Sequence, residues 1–137
     1  MRLGKSELFL GLAISQAAHF MEEFYFRLLD VFAPARYLSG LISEDLTFGF
    51  AVINLPIVIL AFWTYFFRVR LAAGHATAWI WAWSLLELGN GTGHIILPAN
   101  AGGYFPGAYT AAFLLVFSLA LMYRCVHPAG RAADSVT

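Results

Sequence analysis

Apolar residues fall into four long blocks along the chain, broken by short polar or glycine-rich links. A helix needs about 20 predominantly apolar residues to cross roughly 30 Å of hydrocarbon. The blocks Leu8–Leu29, Leu46–Phe67, Ala76–Leu97 and Pro106–Val126 therefore predict four membrane-spanning helices. Arg68 to His75 reads as a tight turn and Asn100 to Pro106 as a glycine-rich loop, while the longer link Asp30 to Asp45 has room for a short surface helix around Arg36–Ile42. The expected fold is an all-α, integral membrane four-helix bundle over residues 1–127, followed by a small, polar, disordered tail at 128–137.

Composition supports this class. Hydrophobic residues make up 61% of the 137 positions and charged residues 12%, about half the charged share of a typical soluble domain. Mean hydropathy is +0.73. The net charge is zero and no basic run occurs, which gives no reason to expect a nucleic-acid partner. Arg2, Lys5, Arg68, Arg70, Arg124 and Arg131 fall on the side of the termini, and only Arg27 and Arg36 on the other. The positive-inside rule then places both termini in the cytoplasm. Cys125 is the only cysteine, so no intrachain disulfide can form, and it reads as a packing residue. Met1–Lys5, Leu8–Ile14 and Ser15-Gln16-Ala17 together resemble a signal peptide. Against cleavage, Glu7 precedes the apolar core, which then continues to Leu29, so an uncleaved first span is expected.

Inside this apolar frame, polar groups collect on two stripes. His19, Glu22 and Glu23 lie within about 100° of arc on the first span, with Gln16 near Glu23. Glu87, Asn90, Gly91 and His94 repeat the pattern on the third, at i, i+3, i+4 and i+7, with Trp83 extending it. Gly89, Gly91 and Gly93 there allow either close helix approach or local unwinding toward a ligand. By helical rise, His19 lies about 13 Å, Glu87 about 15 Å and His94 about 5 Å from the outer ends of their spans. Asn54 on the second span, two residues before Pro56, lies about 12 Å in. All fall in the outer half of the bilayer, where they can share one cavity.

Three short signatures, His19-Phe-Met-Glu22-Glu23, Asn90-Gly-Thr-Gly-His94 and Tyr104-Phe-Pro106-Gly107, in this order and in a chain of this size, resemble a bacterial membrane family named for its HXXEE motif. The resemblance covers roughly His19 to Gly107. It marks His19, Glu22, Glu23, Asn90, His94, Tyr104, Pro106 and Gly107, implies a multi-pass protein of the bacterial inner membrane, and supplies no substrate. Glu87 and Asn54 come from helical geometry alone.

Three chemistries fit these residues. Two histidines with Glu22, Glu23 and Glu87 resemble a divalent metal site inside a helical bundle, with zinc or iron suited to mixed imidazole and carboxylate ligands. His19, one of Glu22 and Glu23, Glu87 and His94 would supply four ligands, although Glu87 and His94 differ by about 10 Å in depth. Without a metal, a buried carboxyl beside a second one can move protons to or from an apolar substrate, and Trp63, Trp79, Trp81 and Trp83 could stabilise a cationic, isoprenoid-like intermediate. As pure structure, Glu23 would pair with Arg27 at i+4 and Glu22 with His94 or His19. Intramembrane hydrogen bonds average only about 0.6 kcal/mol, whereas each buried charge costs about 2.5–3.5 kcal/mol on insertion scales. The expected function is a membrane-embedded enzyme of the isomerase, cyclase or hydrolase class acting on a membrane lipid or another hydrophobic molecule. His19, Glu22, Glu23, Glu87 and His94 serve it as metal ligands or acid/base groups, and Asn54 and Asn90 orient substrate. Tyr104 and Pro106-Gly107 form a turn that opens the fourth helix with proline in its first turn, the tyrosine hydroxyl folding over the cavity mouth. The rivals are a proton or cation conduit, which at this size requires a homo-oligomer, and an accessory subunit that docks a partner helix. His75 and His127 are expected to face solvent.

Overall fold

The computed structural model describes residues 3–101 and 103–127, so the expected disordered tail at 128–137 lies outside the described residues. Within them the chain is all-helical: α1 (Lys5–Tyr25), α2 (Leu28–Val31), α3 (Ala33–Ile42), α4 (Leu46–Thr64), α5 (Ala76–Ala101) and α6 (Ala108–Val126). A π-helical turn, Tyr65–Val69, continues α4.

Several boundaries differ from the apolar blocks, each for a local reason. The first block was expected to run to Leu29, but α1 stops at Tyr25 because Arg27 turns left-handed, with φ of 58°. Its guanidinium holds Asp30 at 2.6 Å from Nε. The i+4 pair of Glu23 with Arg27 therefore does not form. The surface helix expected around Arg36–Ile42 is longer, starting at Ala33, and the short α2 precedes it. Asp45 starts α4 by accepting from the backbone N–H groups of Thr47 and Phe48 at 2.9 and 3.1 Å, which satisfies two of the unpaired donors at a helix N-terminus. Helix α5 runs a turn past Leu97, to Ala101, and α6 begins at Ala108 rather than at Pro106.

Antiparallel packing follows from contacts at the two ends. Arg124 at the end of α6 donates to the Leu3 carbonyl before α1 at 2.7 Å. At the opposite end, Glu22 of α1 meets the first turn of α6. Helix α1 lies against α6 and α4, α5 lies chiefly against α6, and α3 folds back on α4. Gly91 permits the α5–α6 approach, since a Cβ there would lie 3.0 Å from the Ala111 carbonyl oxygen. Helix α5 stays continuous through its glycines; Gly91 serves close approach, while Gly89 and Gly93 face open space.

The terminal half of the bundle is apolar, built on Leu8, Phe9, Leu12, Ala13, Ile80, Leu114 and Leu121, with Trp83 donating its indole N–H to Thr64 at 3.1 Å. The other half buries Gln16, His19, Glu22, Glu23, Glu87 and His94. Two helical stretches among the described residues, Leu46–Val69 and Ala108–Val126, are long and apolar enough to cross a membrane, with mean hydropathy of 2.1 and 1.7. Only 17% and 22% of those windows is buried, less than in the mostly buried core helix of a water-soluble domain.

Candidate metal centre

Helical spacing puts His19 and Glu23 one turn apart on α1, and the antiparallel α6 wedges its first turn between α1 and α5. His94 of α5 then meets Glu23 directly, with Nε2 3.0 Å from Oε1. His19 Nε2 lies 3.5 Å from the same oxygen. The two imidazoles stand edge to face with ring centroids 4.5 Å apart. All three side chains are buried, and their ligand atoms lie within 4.8 Å of one another. Metal–ligand distances of about 2.0–2.2 Å in a tetrahedral arrangement place ligand atoms about 3.5 Å apart, so the two contacts to Glu23 Oε1 are close to the spacing of a coordination sphere.

The expected gap of about 10 Å between Glu87 and His94 remains, leaving Glu87 outside the group, whereas the revised helix ends bring the two histidines to similar depths. His19 precedes the end of α1 by six residues and His94 the end of α5 by seven. Those intervals correspond to about 9 and 10 Å of rise.

Outer hydrogen bonds set the tautomers. His94 Nδ1 lies 2.8 Å from the Pro106 carbonyl oxygen, which can only accept, so Nδ1 carries a proton. His19 Nδ1 lies 2.8 Å from the Thr110 hydroxyl, and that hydroxyl donates to Glu22 Oε2. His19 must therefore also donate from Nδ1. Each neutral ring is left with a bare Nε2 facing Glu23. The buried His19 Nε2 has no hydrogen-bond partner among the described residues. A lone pair pointing at a carboxylate in a buried site is unfavourable unless a proton or a cation lies between them. A divalent ion would satisfy all three groups, and the Thr110 and Pro106 contacts have the form of outer-sphere bonds that orient metal-binding imidazoles.

Glu22 has a different task. Its Oε1 accepts the Tyr104 hydroxyl at 2.7 Å and the Tyr109 N–H at 3.2 Å, and its Oε2 accepts the Thr110 N–H at 2.8 Å. The carboxylate thus caps α6 from another helix, where the helix dipole favours negative charge. Desolvation and this carboxylate push the Tyr104 phenol well above its usual ionisation range, so it remains a donor. Gly107, with φ of 94°, backs onto both rings: a Cβ there would lie 2.6 Å from His94 Nδ1 and 2.7 Å from His19 Cε1. Pro106 precedes the helix instead of opening its first turn, and it contributes its carbonyl.

Glu87 stands deeper. Asn90 donates to it at 3.3 Å, and the Gln16 amide, oriented nitrogen-inward, donates at 2.9 Å. These groups line a cavity of about 520 Å³ together with Asn54 and Glu23, the Asn54 side chain donating to the Phe50 carbonyl. Of the five residues considered as ligands, His19, Glu23 and His94 come together, while Glu22 and Glu87 stand outside the group. Sequence reasoning missed Thr110. Its position three residues after Gly107, in the first turn of a helix opposite two glutamates, was the available signal.

Searches against family models, curated proteins and solved structures return no match to the chain.

Proposed function

We propose that this protein is a small integral membrane enzyme that holds zinc or iron between His19, Glu23 and His94 and acts on a lipophilic substrate. The observation that carries this reading is the pair of bare Nε2 atoms turned onto one carboxylate, each ring fixed from behind by a hydrogen bond. Three protein ligands leave a coordination position open, the pattern of catalytic sites and not of closed structural ones. An ion held by His19, Glu23 and His94 would supply Lewis acidity to a substrate oxygen. Glu87, held by Gln16 and Asn90 beside the cavity, is the acid/base group, and Asn54 and Asn90 orient the substrate. Hydrolysis or isomerisation of a lipid fits this set.

The membrane setting rests on the two outward-facing apolar helices together with the composition, and α1 and α5 complete a four-span bundle as the helices that bear the polar stripe. Both termini are assigned to the cytoplasm of a bacterial cell and the metal centre to the outer half of the inner membrane. Membership of the HXXEE-motif family belongs to the same proposal, supported by the meeting of its three signatures at one place. The apolar packing of the terminal half weighs against a conduit.

Elemental analysis of the protein purified in mild detergent tests this. About one zinc or iron per chain is expected, falling below a tenth in Glu23→Gln and His94→Ala. A folded wild-type chain that takes up neither ion would refute the metal and leave Glu23 as the partner of a protonated histidine.

A further inference from the structure

We propose that the ligand of this site is a single-chain amphiphile with an anionic head, bound with its head at Arg36 and its chain along one face of α4. The inference deepens the enzyme reading above and rests on it only for where the chemistry occurs. Thr47, Phe50, Asn54, Ile57 and Leu60 follow one another by three or four residues and so share a face of α4. Three cavities of about 620, 520 and 200 Å³ lie along that face, in order from the α3 end. Glu23 lines both the first and the second, and Ile57 and Leu86 line both the second and the third, so the three adjoin. From Thr47 to Leu60 the stripe extends about 20 Å.

Chemical character changes along this length in the order of an amphiphile. Arg27, Asp30 and Arg36 line the wide end, Asn54 and Glu87 the middle beside Glu23, and Leu60, Trp79 and Trp83 the narrow end. Asp30 already neutralises Arg27. Arg36 is less fully paired: its Nη1 donates to the Leu29 and Asp30 carbonyls at 3.0 and 2.9 Å, and the Asp30 carboxylate, hydrogen-bonded to Arg27, acts on it through space without a hydrogen bond. The Nε–Nη2 edge has no partner among the described residues. That edge is the fork which binds a carboxylate or phosphate with two parallel hydrogen bonds. The third cavity, about 200 Å³, is the smallest of the three, so the groove tapers toward Leu60 as a single chain would require. Glu23 borders the groove between the levels of Phe50 and Asn54, about 4–10 Å inward of Thr47. The reacting atoms therefore lie in the part of the molecule near its head and not at the chain end.

The test uses the full chain in phosphatidylcholine nanodiscs with a palmitate analogue bearing a diazirine at the chain end, photolysed and mapped by peptide mass spectrometry. Labelling is expected on the buried Trp83, on Trp79, and on Leu60 and Leu86, well above that on Phe113 and Val116 of α6, which are exposed like Leu86 but do not line these three cavities. Arg36→Ala, or the methyl ester of the probe, should lower it at least about ten-fold, the loss of the charge-assisted fork. Because Arg36 also holds two carbonyls, Leu60→Trp serves as a second variant, blocking the narrow end and abolishing label there with Arg36 intact. Equal labelling of the groove and of Phe113 and Val116 would overturn the inference, as would indifference to both the ester and Arg36→Ala. Displacement by millimolar inorganic phosphate would also overturn it, showing a site for small anions. Metal content is measured on the same samples. A chain that binds metal without groove labelling refutes this inference alone, and one that labels without metal refutes the metal alone.

Discussion

A neutral imidazole has one proton, and the atom that takes it decides what the opposite nitrogen can bind. In this protein the choice is made by Thr110 and by the Pro106 carbonyl, neither of which touches the three converging ligand atoms. Thr110 works as a relay, accepting from His19 and donating to Glu22. Thr110→Val preserves shape and removes the relay, so metal affinity should fall about 10–100-fold, the usual cost of losing an outer-sphere partner. Thr110→Ser should restore most of it. Competition with a chromogenic chelator measures both, and equal affinity in the valine variant would show that the hydroxyl does not orient His19. Gly107 acts by absence. A methyl group there meets both rings, and its φ of 94° is strained for any residue with a Cβ. Gly107→Ala should cost about 1–3 kcal/mol of stability and release the metal, read as a lower thermal midpoint in detergent and a sub-stoichiometric ion count.

At the level of helices, Glu22 and Glu23 are neighbours in sequence, but about 100° of helical rotation turns them toward different partners. Glu23 faces α5 and His94, and Glu22 faces the first turn of α6. Glu22→Ala should therefore raise hydrogen exchange at the Tyr109 and Thr110 amides, the loss of a cap being worth about 1 kcal/mol. Glu23→Gln should leave those amides protected. Equal exchange in the two variants would remove the distinction between cap and ligand. Here lies the boundary of what the sequence made legible. The polar stripe on α1 and its counterpart on α5 follow from 3.6-residue periodicity, which depends on no neighbour. Which glutamate meets which helix depends on α6, whose sequence reads as a plain apolar span and whose first turn supplies Thr110 only after the bundle has closed. The end of α1 was hidden for a similar reason. Arg27 could pair with Glu23 or with Asp30, and only the left-handed turn at Arg27 decides for Asp30. That early stop, with the extra turn of α5, brings His19 and His94 to one level.

For the whole molecule, the question is which solvent the exterior meets. Helix α4 presents Phe48, Leu55 and Ile59 outward, and α6 presents Phe113, Val116 and Leu119, all more than half exposed. Contiguous apolar surface of this extent is rare on a water-soluble monomer. The same substitution has opposite consequences in the two settings, which makes it decisive. Ile59 is 59% exposed near the middle of the Leu46–Val69 stretch. In water, Ile59→Arg would be nearly neutral, since surface changes seldom exceed about 0.5 kcal/mol. In a bilayer it adds about 2.5–3.5 kcal/mol to insertion of a helix centre. A sharp fall in membrane-integrated protein after alkaline extraction is therefore expected, with Tyr37→Arg on the surface helix α3 as the exposed control that is tolerated. Unchanged yield and fold in Ile59→Arg would place α4 in contact with water. The buried histidine and glutamate cluster would then belong to the core of a helical domain that faces the aqueous phase, and a lipid chain along α4 would lose its route of entry.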